Sequence, residues 1–257
     1  MPAPAVTPLV ENAGFVFTGE NPWPAGQVSA AAARTLLAAG NPSGRPNGDV
    51  LRCLVTLQRG RPLPRWQVDF PAHFTAQEAA LYAAPWKTVT GRTPAPDAWR
   101  NPQANPELRR ALARVERYLA LPAGAETPHW TWFESTDLPA AGLVVIARED
   151  DFGHGLLTSR LFALWWHAFR PAQPAVAIVA SFPLPWPAGT QLSALTRAQE
   201  DLRLDLARAA RSGNADAIDR AATAAYGWPA DDPDPELLAR LLALHRTKAA
   251  AGLSANR

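Results

Sequence analysis

The chain has 257 residues, 47% of them hydrophobic and 19% charged, with a net charge of +2 carried on basic residues that are almost all arginine. That composition suits one large or two small globular domains with a substantial core, and it excludes a disordered or fibrous chain. A single cysteine, Cys53, rules out an internal disulfide and points to a reducing compartment. No charged-then-apolar leader is present and no apolar run approaches the length of a membrane span, so a cytoplasmic location without membrane contact is expected. The positive charge permits an anionic partner without requiring one.

Met1 to Pro8 is expected to be a flexible tail. Phe15 and Phe17 alternate as in a short strand, and Asn-Pro-Trp-Pro follows as a loop. Ser29 to Ala39 predicts a helix with Ser29 as N-cap and Gly40 just beyond its end. Asn41 to Arg52 reads NPSGRPNGDVLR, in which prolines and glycines forbid regular structure until Val50. It is either a plain surface loop or one whose Arg45, Asn47 and Arg52 meet phosphates and base edges. Arg65 to Phe70 (RWQVDF) predicts a strand, and Thr75 with Glu78 predicts a capping box opening the next helix.

Pro94 to Pro106 is a connector rich in proline and asparagine. Glu107 to Ala120 has the spacing of an amphipathic helix, with Leu108, Leu112, Val115 and Leu119 on one face. At roughly 100° per residue, Arg109, Arg110, Arg114 and Arg117 fall within about 140° on the other face. Such an arc is either a solvated charged face or a surface laid along a nucleic-acid backbone, one arginine to a phosphate. Glu126 to Glu134 alternates as a strand around Trp130 and Trp132. Leu143 to Ala147 predicts a buried strand, Arg148 to Gly155 a charged turn, Leu156 to Phe169 a helix, and Val176 to Val179 a second strand. Phe182 to Pro187 (FPLPWP) stops all regular structure. Beyond it come three helices: Ser193 to Ser212, one capped by Asn214, and Glu236 to Ala250 opened by Asp234-Pro235.

Motifs for catalysis are missing. A DNA amino-methyltransferase holds the flipped base with Asn/Asp-Pro-Pro-Tyr/Phe, but the Asn-Pro pairs at Asn21, Asn41, Asn101 and Asn105 continue as Trp, Ser, Gln and Glu. No glycine-rich phosphate loop follows a strand, and the histidines have no zinc spacing. Asp150 and Asp151 read as a charged turn or, less simply, a metal pair. The expectation is a non-catalytic chain with no cofactor and no metal.

Several segments resemble the target recognition domain and C-terminal tail of MmeI-like (type IIL) DNA methyltransferase–restriction enzymes. They are NPSGRPNGDVLR at 41–52, RWQVDF with EAALY and Pro85, LVVIAREDDFGHGLLTSRLFALWW at 143–166 with SFPLPWPAG at 181–189, and the tail segments AAYGWPAD and LLARLLALHRTKAA. They occur in the family's order, and the family's catalytic domain has no counterpart. The resemblance implies an α+β fold: a mixed-sheet recognition domain with packed helices at 9–190 and a small C-terminal helical bundle at 191–257. It implies a free-standing, non-catalytic specificity subunit of a bacterial restriction-modification or phage-defence methyltransferase system. Its partners would be double-stranded DNA and a separate methyltransferase or nuclease subunit. Candidate DNA contacts are Arg45, Asn47, Arg52, Arg109, Arg110, Arg114, Arg117 and His129. The chain departs from the family at 122–129 (PAGAETPH), which lacks two basic residues and keeps His129, and at 94–105, which keeps only Arg100. Those losses favour, as the alternative, a protein–protein adaptor or a degenerate module that no longer reads DNA.

Overall fold

The computed structural model describes residues 6–58, 60–93, 98–186, 190 and 192–255, the side chains of 192 and 253–255 excepted. In chain order the elements are β1 (Val16–Thr18), β2 (Gln27–Val28), α1 (Ala30–Ala38), β3 (Leu51–Gln58), β4 (Arg61–Val68), α2 (Ala76–Ala80), α3 (Ala83–Thr90) and α4 (Pro106–Leu112). There follow β5 (Arg117–Pro122), β6 (Thr131–Glu134), β7 (Asp137–Pro139), β8 (Leu143–Ile146), α5 (Asp151–Thr158), α6 (Arg160–Phe169), α7 (Ala175–Ser181), α8 (Arg197–Ser212), α9 (Ala215–Ala225) and α10 (Asp234–Ala255). The fold is α+β, with two four-stranded sheets and a helical C-terminal region. The chain forms two compact units, one from residues 1–17, 114–133 and 144–257, the other from 18–113 and 134–143. Of the N-terminal segment expected to be a tail, residues 1–5 lie outside the described residues, whereas Val6 is buried and the Thr7 carbonyl lies 2.9 Å from His245 Nε2.

The first unit is centred on the sheet β1-β8-β5-β6. Leu143, Val144, Val145 and Ile146 are all buried, as a strand with both faces covered must be to keep a continuous apolar run. Asp150 caps α5, its Oδ1 accepting from the Gly153 amide at 2.7 Å, so Gly153 and Gly155 lie inside a helix and not in the expected turn. Gly155 is where α5 meets α8: a Cβ there would stand 2.8 Å from two carbons of Leu206. Ser159 adopts extended angles between α5 and α6, which breaks the single helix expected over Leu156–Phe169. Trp165, Trp166, Phe162 and Phe169 of α6 are essentially fully buried, and Leu206, Ile218, Leu237 and Leu241 from the last three helices join the same core. Asn214 caps α9 as the sequence indicates.

Two expectations are corrected in this unit. Val176–Val179 is not a strand but part of α7. Its buried residues, Ala175, Ile178, Val179 and Ser181, follow a helical and not a two-residue period, and Ala177 and Ala180 favour the helix. Asn12 satisfies the buried C-terminal end of α7, its Nδ2 donating to the carbonyls of Ala180 and Phe182 at 2.9 Å each. The helix expected over Glu107–Ala120 stops at Leu112, and Arg117–Pro122 is the strand β5. Asn105 caps α4 with Pro106 in its first turn, as helix-start signals require, but Tyr118, Leu119, Ala120 and Leu121 are buried in succession as a strand between β8 and β6. A residue run that fits a helical face also fits a strand covered on both sides, and sheet pairing decides between them.

The second unit is built on the sheet β2-β4-β3-β7. β3 and β4 form a long antiparallel ribbon from Leu51↔Val68 to Gln58↔Arg61, and β7 joins β3 in parallel at residues 53–55. β2 joins β4 only at residues 66 and 67. One face is covered by Trp23, Val50, Phe70, Tyr82 and Trp99. Ser29 caps α1, and Thr75 with Glu78 forms a capping box on α2, both as expected.

Candidate nucleic-acid interface

The loop at 41–50 is shaped by its two asparagines. Asn47 is 1% exposed, and its Nδ2 donates to the carbonyls of Leu36 at 2.7 Å and Ala39 at 2.9 Å, closing the C-terminal end of α1. Its Oδ1 accepts from Asn41 Nδ2 at 2.6 Å, and Asn41 Oδ1 accepts from the Ala83 amide at 3.1 Å, which ties the loop to α3. Asn47 is therefore spent on the fold. Arg45 is exposed at the apex of the same loop, and Arg52 is half-buried at the start of β3.

Arg109 is also committed internally. Its Nε donates to Glu20 Oε1 at 2.7 Å, and one terminal nitrogen donates to Glu20 Oε2 at 2.7 Å and Asp69 Oδ2 at 2.5 Å. The Glu20 side chain is fully buried and that of Asp69 nearly so. Gln67 Nε2 and Asn101 Nδ2 donate to the same Asp69 oxygen, and the Asn105 amide donates to Glu20 Oε1. Burial alone would make the Arg109 guanidinium easier to deprotonate, but its bonds to Glu20 and Asp69 outweigh that and hold it charged. The fork-shaped pairing is the geometry for which arginine is suited and lysine is not.

The other arginines of the expected arc do not share a helix face. Arg110 is exposed on α4, and Arg114 is exposed in the turn that follows. Arg117 lies on β5 with its guanidinium 4.0 Å over the Trp132 ring, donating to Asp151 Oδ1 at 2.8 Å and to the Glu149 carbonyl. His129 is exposed in the approach to β6.

Of the selected residues, the structure brings Arg52 and Arg109 together around one cleft of about 900 Å³ within the second unit. Residues not among the candidate contacts complete it: Arg100, Asn101 and Asp69, with walls from Trp23, Phe70, Leu112 and Leu138. Arg100 is held at its edge, stacked 4.3 Å from the Trp99 ring and donating to the Ala72 carbonyl at 2.8 Å. Asp69 did leave a trace in the sequence, as a lone carboxylate between Val68 and Phe70; Glu20 left none. Chemically the cleft offers apolar walls and guanidinium groups. The carboxylate that lines it, Asp69, is already paired with Arg109. Burial, and then the Asp137 carboxylate, push the nearby β3 thiol of Cys53 up to about 12, so it stays protonated at neutral pH and is a weak nucleophile. Among the described residues no group of three His, Cys, Asp or Glu side chains could hold a metal ion, and no helix is long and apolar enough to cross a membrane.

No protein-family profile matches the chain, and no curated protein matches it. A solved structure that is similar is that of the type IIL restriction-modification enzyme MmeI in complex with DNA, with a TM-score of 0.54 and 14% identity. The likeness covers 97% of this chain and 36% of the matched one. At that identity it is a likeness of fold, and it reaches the same family that the sequence segments resemble. The chain spans little more than a third of the length of the protein it matches.

Proposed function

We propose that this chain is a DNA sequence-recognition module of a restriction-modification system, itself non-catalytic, whose methyl transfer or cleavage is performed by a separate catalytic partner. The observation that carries the reading is the likeness of nearly the whole chain to part of a restriction enzyme solved on DNA, in the family whose sequence segments it also resembles. The missing adenine-binding tetrad supports the non-catalytic half of the proposal. The exposed cations Arg45, Arg110 and Arg114, with the half-buried Arg52 and the exposed His129, are the candidate contacts that remain.

A second reading has a specific observation in its favour. Asn47 is spent on internal bonds, and Arg109 and Arg117 are paired with carboxylates, so the surface left to meet DNA is less basic than the sequence indicates. That suits a protein–protein adaptor built on a recognition fold.

Salt dependence separates the two. Each phosphate neutralised contributes roughly −0.9 to the slope of log affinity against log salt, so Arg45, Arg52, Arg110 and Arg114 together give about −3.6. Replacing Arg110 and Arg114 by alanine is expected to flatten the slope by about two units without moving the thermal midpoint, since both side chains are exposed. Fluorescence anisotropy on a mixed-sequence duplex measures it. Labelled S-adenosylmethionine added to the same mixture is expected to leave the DNA unlabelled, and incorporation above background would refute the non-catalytic reading.

A further inference from the structure

We infer that the free end of the β3–β4 ribbon is the element that enters the DNA major groove, an inference that rests on the recognition reading above. The ribbon outruns its sheet: β7 accompanies β3 only to residue 55, and β2 accompanies β4 only at 66 and 67. Residues 56–58 and 61–63 therefore stand as a two-stranded antiparallel ribbon paired only with itself, and Pro64 and Arg65 lie at its base on the edge that β2 leaves free. Gly60, with φ of 74°, serves the turn between the strands. Arg61, Pro62, Leu63, Pro64 and Arg65 are all exposed.

Its register sorts the side chains by face. Residues directly opposite in an antiparallel pair share a face, and alternate residues along a strand return to it. The pairs Gln58↔Arg61, Thr56↔Leu63, Leu54↔Arg65 and Arg52↔Gln67 thus lie on one face. That face presents two exposed guanidinium groups, an amide, a hydroxyl and the Leu63 side chain, the donor, acceptor and apolar groups that read base edges and the thymine methyl. Neither the Arg61 nor the Arg65 side chain is engaged in an ion pair or hydrogen bond among the described residues. The sequence contains no acidic residue between Asp49 and Asp69.

Dimensions and chemistry agree on the occupant. From Val55, the last residue that β7 accompanies, to Gln58 the ribbon extends about 10 Å at roughly 3.4 Å per residue, enough to reach the floor of a groove about 8.5 Å deep. The major groove of B-form DNA admits a two-stranded ribbon as it stands, whereas the minor groove, about 6 Å wide, must first be widened at a cost in deformation energy. A protein strand adding to the free edge of β4 is disfavoured, because Pro62 and Pro64 have no amide to give it.

The test is binding of the full chain to a guanine-containing duplex, unmodified and methylated at guanine N7, for the wild type, R61A/R65A and the control R246A on α10. The expected result is that N7 methylation weakens the wild type, and that R61A/R65A binds unmodified duplex roughly tenfold to a hundredfold less well with an unchanged thermal midpoint. In R61A/R65A the effect of methylation should disappear, while R246A behaves as wild type. If R61A/R65A binds as wild type does, the ribbon is not the reading element although the recognition reading stands; loss of the catalytic partner by that variant would then assign the ribbon to a protein contact. Weakened binding with no response to N7 methylation would place the arginines on phosphates and overturn the groove assignment. If the wild type binds no duplex even at low salt, the recognition reading falls and the ribbon inference with it.

Discussion

Replacing Arg109 by alanine is expected to destabilise the second unit by about 3–5 kcal/mol, because it leaves Glu20 and Asp69 as buried carboxylates without their shared cation. At roughly 2–4 °C per kcal/mol the thermal midpoint should fall by about 6–20 °C. Arg109→Lys should recover only part of that, since an ammonium cannot grip Glu20 through two parallel bonds while reaching Asp69. Arg110→Ala, one residue along and exposed, should change stability by no more than about 0.5 kcal/mol. Thermal unfolding followed by circular dichroism compares the variants directly. If Arg109→Ala unfolds like the wild type yet binds DNA more weakly, Arg109 belongs to the interface and not to the fold.

A second large effect concerns the C-terminal helices. Removing residues 190–257 should abolish the cooperative unfolding of the first unit, not merely lower its midpoint. Leu206, Ile218, Leu237 and Leu241 share a core with Phe162, Trp165, Trp166 and Phe169. Four such side chains at roughly 1.5–3 kcal/mol each amount to most of the roughly 5–15 kcal/mol by which domains are stable. Gly155, with no side chain between α5 and Leu206, adds that the two helices are fitted closely to each other. The shortened protein is expected to bind a hydrophobic dye and to aggregate on gel filtration. A soluble, cooperatively folding product would mean that α8–α10 are an appendage and not part of the core.

What the sequence made legible was short-range. Ser29, the Thr75–Glu78 box and Asn214 all cap the helices that follow them, because a capping side chain bonds to an amide two or three residues away and the signal lies in consecutive letters. The α+β class and the buried strand at Leu143–Ile146 were legible for the same reason: both are patterns of neighbouring residues. What failed depended on partners distant in the chain. β5 is a strand because β8 and β6 flank it, and α7 is a helix whose end is satisfied by Asn12, about 170 residues away. Among the candidate contacts, Asn47 and Arg109 looked like free polar residues, because the carbonyls of α1 and the carboxylates of Glu20 and Asp69 that engage them are not marked by any local pattern. Arg61 and Arg65 stood in plain view, but only the strand register places them on one face with Gln58.

Enrichment of duplexes from a random-sequence pool tests the central claim most directly, carried out at low salt with the purified chain alone and with the proposed catalytic partner added. The expected result is weak, salt-sensitive retention of DNA of any sequence by the chain alone, and one enriched base sequence once the proposed partner is present. Retention that neither responds to salt nor enriches any sequence, with the partner bound all the same, would contradict it and leave the adaptor reading in its place.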